Sequence, residues 1–234
     1  MGQILNIENL FVTYHDGSEA LRGVSLAVEP GRRVGLIGPN GAGKTSLLLA
    51  IMRGVPFAGR IVVDGIEVSR RAADEARSRC GMTFQDPDDQ LFMPTLLDDV
   101  AFGPLNQGRD TAVARKVATE AIAAVGLSGL EHRCAHHLSG GQKRNAALAT
   151  ILSMNVKLLL LDEPGASLDL RSRRRLTEIL RRRDEGLLLA THDLNMVGEL
   201  CDRAIVMDDG VIVADGPAAE ILNDAALLAA HGLA

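Results

Sequence analysis

Short apolar runs alternate with amphipathic stretches along this chain of 234 residues. Near the N-terminus the runs at 4–10, 23–28, 33–37 and 61–63 read as strands. They are separated by turn signals at His15-Asp16-Gly17, Glu29-Pro30-Gly31 and Asp64-Gly65. A further strand at 81–84 ends at Gln85. Residues 96–152 take on helical character: 112–125 is closed by Gly126, and Ser139-Gly140-Gly141 opens an alanine-rich helix over 142–152. Strands return at 157–161, 187–190, 204–207 and 211–213, the first two each followed by a helical stretch. This alternation predicts an α/β fold, a mostly parallel sheet wrapped by helices with a helical insertion in the middle. The tail, 217–234, reads as one amphipathic helix that covers the core with Ile221, Leu222, Leu227 and Leu228.

Candidate chemistry sits where strands end. Gly38-Pro39-Asn40-Gly41-Ala42-Gly43-Lys44-Thr45 fits the phosphate-binding pattern G-x-x-x-x-G-K-[ST]. An apolar strand precedes it and a helix over 46–53 follows, with Gly54 as its stop. Glycines there let backbone N–H groups curl around phosphate oxygens, and the helix N-terminus adds partial positive charge. Lys44 would reach the β- and γ-phosphates of a nucleotide, and the Thr45 hydroxyl would ligate Mg²⁺. Leu158-Leu159-Leu160-Leu161 reads as a buried central strand running into Asp162-Glu163-Pro164. Asp162 is placed to hold Mg²⁺, and Glu163, pointing to the other face, to address the attacking water. A general base contributes about 10²–10⁴ in rate, or about 2.7–5.4 kcal/mol of barrier. His192, in Thr191-His192-Asp193, ends another strand within reach of a γ-phosphate.

Composition narrows the alternatives. Apolar residues make up 47% of the chain, enough for a substantial core. Five Phe, one Tyr and no Trp leave little for base stacking, and a net charge of −5 opposes attraction to nucleic acid. The arginine-rich stretch 171–183, with Glu178 and Asp184 interspersed, reads as a solvated helix. Cys80, Cys134 and Cys201 are scattered, which suggests neither a disulfide framework nor a zinc site and fits a reducing cytoplasm. The N-terminus carries no signal-like segment, and no apolar run is long enough to cross a bilayer. The expectation is a protein that docks onto a membrane rather than spanning it.

Leu138-Ser139-Gly140-Gly141-Gln142 resembles the signature motif of ABC (ATP-binding cassette) ATPases. The resemblance covers essentially the whole chain, in family order: Walker A at 38–45, a Q-loop glutamine at Gln85, the signature at 138–142 and Walker B at 158–162. The catalytic Glu163, a D-loop Ser167-Leu168-Asp169 and the switch His192 follow. It implies a P-loop NTPase (RecA-like) core with an N-terminal antiparallel β region. The chain would form one nucleotide-binding domain, with 1–85 and 153–234 as the core and 86–152 as an inserted helical subdomain. ATP would be held by Tyr14, stacked on adenine, by 38–46 including Ser46, and by Gln85 and His192. Thr45, Gln85 and Asp162 would hold Mg²⁺, and Lys44, Glu163 and His192 would serve catalysis. Ser139 would cap its helix while Gly140-Gly141 open backbone N–H groups, making a second anion site. The resemblance assigns Ser139, Gly140, Gly141, Gln142 and Asp169 to the nucleotide of a partner chain in a head-to-tail dimer, either a homodimer or a heterodimer with a paralogue. Pro164-Gly165-Ala166-Ser167 departs from the commoner Pro-Thr-x-Gly.

A subfamily is also indicated. The stretch from Phe84-Gln85-Asp86-Pro87-Asp88-Asp89-Gln90 to Phe92 looks like the extended Q-loop of energy-coupling-factor (ECF) importer ATPases. Asp98-Asp99-Val100-Ala101-Phe102-Gly103-Pro104 and Lys143-Arg144 agree. This implies a peripheral subunit on the cytoplasmic face of the cell membrane, with a transmembrane coupling subunit and a substrate-binding membrane subunit as partners. Asp88 and Asp89 would receive arginines of the coupling subunit; a plain surface turn is the competing reading. The cargo would be a transition-metal cation (cobalt or nickel) or a vitamin such as biotin. The alternatives are an ATPase of another ABC transporter and a soluble ABC ATPase without a transport role.

Overall fold

The computed structural model describes residues 2–166 and 168–233. The first strands, β1 (Leu5–Thr13) and β2 (Glu19–Val28), pair antiparallel and bury alternate side chains, among them Leu5, Ile7, Leu10 and Val12. β3 (Arg33–Ile37) leads through the glycine-rich loop to α1 (Lys44–Ile51). β4 (Ala58–Val63) and the short β5 (Ile66–Glu67) follow, then α2 (Ala73–Ser78) and β6 (Cys80–Thr83). Three helices come next: α3 (Leu96–Asn106), α4 (Thr111–Ala124) and α5 (Gly140–Leu152). The remainder alternates: β7 (Leu158–Asp162), α6 (Leu170–Arg181), β8 (Gly186–Ala190), α7 (Leu194–Leu200), β9 (Arg203–Asp208) and β10 (Val211–Pro217). Two short helices, α8 (Ala218–Asn223) and α9 (Ala225–Ala230), close the chain.

Among the described residues the strands make two sheets, ordered β2-β1-β4-β5 and β10-β9-β3-β8-β7-β6. The first is antiparallel. In the second, β3 pairs parallel with β8 and β9, and β7 with β8, while β10 joins β9 antiparallel. This is the expected α/β architecture of a P-loop NTPase. The register positions the site. Ala190 lies opposite both Leu36 and Asp162. The loops leaving β3, β7 and β8 therefore emerge side by side, at the carboxyl edge where open parallel sheets bind ligands.

The chain divides into two compact units. The sheet unit runs through Met82 and adds Lys157–Glu163 and everything from Asp184 onward. Its core is aliphatic: Leu158 to Leu161 and Leu187 to Ala190 are almost fully buried, as a strand covered on both faces requires. The helical unit comprises Thr83–Val156 and Pro164–Arg183. It reaches beyond the 86–152 read from sequence and takes in α6, because Leu176 and Leu180 of that helix are buried and the Arg175 guanidinium fills the space where a side chain on Gly126 would project.

Small residues let the helices of this unit approach closely. Ala114 and Ala118 of α4 are fully buried, and a Cβ on Gly103 of α3 would overlap Met154. Pro104 sits inside α3 and cannot donate to the Val100 carbonyl one turn back. The Ser153 hydroxyl takes that acceptor at 2.8 Å, so the defect is satisfied in place.

Two expectations are corrected, and two short elements were missed. The helix read at 46–53 begins earlier, at Lys44, with Gly43 (φ 98°) as its N-cap. The two-residue β5 and the six-residue α2 are too short to show a period and were not anticipated. The tail is not one helix. Pro217 ends β10, and Asp224 (φ −83°, ψ 84°) breaks the rest in two, its carboxylate accepting from the Leu227 N–H to cap α9. Leu228 alone of the four apolar tail positions is fully buried.

Candidate nucleotide site

The buried strand β3 ends at Ile37 and the chain turns sharply. A Cβ on Gly38 would lie 2.2 Å from the Met207 carbonyl oxygen, and one on Gly43 would lie 2.5 Å from that of Ala20. Close backbone approach leaves room for hydrogen alone at both places. Between them Asn40 and Gly41 are exposed, with Pro39 and Ala42 as the shoulders of the loop. Lys44 folds back beneath it, only 7% exposed, and its Nζ donates to the Gly38 (2.6 Å) and Pro39 (3.0 Å) carbonyls. Burial lowers the Lys44 pKa from its ordinary value, while the Glu163 and Asp162 carboxylates oppose that shift. Thr45 is exposed beside it. The Ser46 hydroxyl lies 3.0 Å from the Tyr14 hydroxyl, which ties this half-exposed ring to the first turn of α1.

Asp162 closes β7 with its carboxylate buried and both oxygens without a hydrogen-bond partner. Burial raises its pKa and the Glu163 carboxylate adds to this; the Thr45 hydroxyl and Lys44 pull the other way. An unpartnered buried carboxylate is expensive. Its two orphaned oxygens and a nearby hydroxyl are hard donors that suit Mg²⁺ better than a softer metal.

Glu163 follows with φ 46°, a left-handed conformation that costs roughly 1–2 kcal/mol for a residue with a Cβ. Its surroundings hold it there. Its N–H donates to the Ala190 carbonyl (2.8 Å), and its Oε2 accepts from the Thr191 hydroxyl (3.0 Å). Its Oε1 accepts from the His192 N–H (3.0 Å) and lies 2.9 Å from His192 Nδ1. Glu163 is 7% exposed, whereas the His192 side chain is 64% exposed. Thr191 is buried and escaped the sequence reading, since its position before His192 carries no spacing signal.

The remaining candidates lie in the helical unit. Ser139 caps α5: its Oγ accepts from the Gln142 N–H (3.3 Å), and Gln142 Oε1 accepts from the Ser139 N–H (2.9 Å). This reciprocal pair is a capping box. Gly140 has open space where a side chain would project, and Gly141 sits near Leu168 and Ser172. Asp169 caps α6 through the Ser172 N–H (2.7 Å), and that bond holds its carboxyl below the usual range. Ser167 of the expected D-loop lies outside the described residues. Gln85 is exposed, and its carbonyl accepts from Arg144 Nη1 (3.3 Å). Asp88 is already paired: Lys143 Nζ lies 2.6 and 2.8 Å from its two oxygens. Asp89 is exposed and makes no ion pair among the described residues. Gln90, not singled out by itself from sequence, bonds to α5 at two points.

A glycine-rich phosphate cradle over a buried lysine, flanked by an acid-ended parallel strand, defines a P-loop nucleotide-binding protein. The family model described as ABC transporter matches residues 21–166. The cobalt import ATP-binding protein CbiO of Rhodobacter capsulatus is 42% identical, covering 100% of this chain and 85% of its own. The energy-coupling factor transporter ATP-binding protein EcfA of Methanothermobacter thermautotrophicus is 39% identical over 96% of this chain and 74% of its own. Among solved structures, cbiO1 of Clostridium perfringens, part of the ABC transporter complex cbiONQ, aligns with a TM-score of 0.84 at 32% identity, covering 100% of this chain and 96% of its own. A dimeric post-hydrolysis state of the ATP-binding cassette MJ0796, bound to ADP and Pi, aligns with a TM-score of 0.83 at 25% identity, over 92% and 98%. The chain belongs to the ABC transporter family, as an ATP-binding subunit with relatives of the energy-coupling-factor type. Among the described residues no helix is long and apolar enough to cross a membrane.

Proposed function

We infer that this chain is the Mg²⁺-ATPase that powers an ECF-type importer, with a transition-metal cation, cobalt before nickel, as the leading cargo and a vitamin such as biotin as the other. The observation that carries the ATPase reading is the Asp162 carboxylate, buried and unpartnered beside Thr45 and Lys44. The names of the CbiO and EcfA relatives support the importer and the metal.

Tyr14 stacks on adenine, and the N–H groups of 38–46 with Lys44 receive the phosphates. Thr45 and Asp162, with Gln85 as the family resemblance implies, would hold Mg²⁺, whose charge would neutralise that developing on the transferring phosphoryl group. Glu163 orients the attacking water and takes its proton, and His192 contacts the γ-phosphate. With Thr191 and His192 holding both of its oxygens, Glu163 starts from one fixed position, which is how a base gains from orientation. Ser139, Gly140, Gly141, Gln142 and Asp169 complete the site of a second chain. Two nucleotides then close a head-to-tail dimer and hydrolysis reopens it, moving a transmembrane coupling subunit that works with a substrate-binding membrane subunit. Asp89, and Asp88 while it keeps Lys143, receive cationic side chains of that coupling subunit.

Complementation tests the shared site. Lys44→Ala and Ser139→Ala chains, each inactive alone, are mixed and assayed for ATPase. A mixed dimer holds one complete site, so activity returns; no gain on mixing rules out the shared site. Co-expression with the membrane subunits and uptake of radioactive cobalt tests the cargo, with Glu163→Gln as the silent control.

A further inference from the structure

The loop that carries Gln85, Asp88 and Asp89 is bonded to the helix that presents 139–142. Lys143, the residue after the signature, gives its ammonium to both oxygens of Asp88, and its side chain is only 17% exposed. Arg144 donates to the Gln85 carbonyl. Two turns on, the Gln90 carboxamide bridges loop and helix. Its Nε2 donates to the Ala147 carbonyl (3.0 Å) and the buried Thr150 hydroxyl (2.6 Å), and its Oε1 accepts from the Phe84 N–H (3.2 Å). Lys143, Ala147 and Thr150 stand at i, i+4 and i+7, on one face of α5. Where the loop ends, Asp99 Oδ1 of α3 accepts from the Phe92 and Met93 N–H groups, both at 2.9 Å.

A single contact would let the loop pivot. Two anchors seven residues apart lie about 10 Å apart along a helix and fix its orientation as well as its position. We propose that Lys143 and Gln90 are positioning residues: they make loop 85–92 and the anion-binding N-terminus of α5 one rigid piece. A push on the loop from a membrane subunit then arrives as a displacement of 139–142, with no slack between. The proposal rests on the ATPase reading above and assigns these two side chains the transmission step.

The test uses purified full-length protein and steady-state ATP hydrolysis. Lys143→Met keeps the aliphatic stem and removes the charge; Gln90→Leu keeps volume and removes the carboxamide bonds to Phe84, Ala147 and Thr150. Each lowers kcat by about threefold to tenfold, while KM for ATP stays within about twofold, because the nucleotide's own contacts are intact. Hydrogen exchange rises across 84–93 and stays unchanged in α4. Lys143→Arg restores kcat, and exchanging the charges (Asp88→Lys with Lys143→Asp) recovers most of what either change loses. Unchanged kcat in Lys143→Met and Gln90→Leu, beside an inactive Lys44→Ala control, overturns this proposal alone. So does a loss that Lys143→Arg and the charge exchange both fail to rescue. A Lys44→Ala protein that hydrolyses ATP at the wild-type rate overturns the ATPase reading itself.

Discussion

The two units handle buried polar groups in opposite ways. Under the phosphate loop of the sheet unit, Lys44, Asp162 and Glu163 are drawn from water together, and Asp162 has no partner. Around loop 85–92 of the helical unit, Asp88, Gln90 and Lys143 are all bonded. A site for an ionic ligand is built by leaving part of the electrostatics unfinished, so that the ligand supplies what is missing. A part that transmits motion is built by finishing every bond, so that nothing yields. The helical unit has exceptions: Thr83 Oγ1 and Asn145 Oδ1 are buried without a partner, and of the Asp99 oxygens one holds two backbone N–H groups while the other has none, and burial raises its pKa.

The largest break in this contrast comes from the base. Glu163→Gln keeps the backbone and most contacts yet removes proton acceptance. ATPase turnover falls by about 10²–10⁴, and with ATP the protein elutes as a dimer in size-exclusion chromatography; near-normal turnover would remove Glu163 from the mechanism.

Asp162→Asn gives a smaller effect that is opposite in stability and function. It removes the buried charge, so Mg²⁺-dependent turnover is lost while the nucleotide-free protein gains about 1 kcal/mol, or roughly 2–4 °C in Tm. The sign follows from the raised pKa. What this group contributes to stability is fully present below its unfolded value, near 3.9, and is lost as pH rises through the higher folded value. The Tm gain therefore grows from acid to neutral pH, and Mg²⁺ affinity of the wild type weakens on acidification. Calorimetry across that range checks both; a Tm that falls at neutral pH would mean that Asp162 is satisfied without a cation.

Smaller still is Thr191→Val. Losing the hydroxyl that donates to Glu163 lowers kcat about tenfold, since one carboxylate oxygen is no longer held in place. Thr191→Ser restores it. A shift in KM alone would place Thr191 with binding instead. The smallest effect is in thiol labelling without denaturant. Burial pushes the Cys80 and Cys201 thiols up to about 12, so half-buried Cys134 of the helical unit reacts first.

Much of the site was legible because its residues are close in sequence to features that a linear reading detects. Residues 38–45 announce themselves through glycines at fixed spacing, 158–163 through an apolar run ending in acids, and 139–142 through a cap followed by glycines. Glu163 meeting His192 was not legible. Their contact spans 29 positions and exists because β7 and β8 are parallel neighbours with Asp162 opposite Ala190. Thr191 and Gln90 were missed for the same reason: a hydroxyl or carboxamide reveals a task only through what it touches.

The tail shows the limit of pattern reading. Leucines and alanines predict helix, but Asp224 prefers to cap rather than continue one. By itself, then, the amino-acid sequence determined the alternation of strands and helices, the phosphate loop and the order of motifs, all set by local spacing and backbone preference. Only the tertiary structure decided that α6 joins the helical unit, that Asp88 is held by Lys143, and that Asp162 is left without a partner. Those outcomes depend on burial and on contacts between distant segments, which no local pattern encodes.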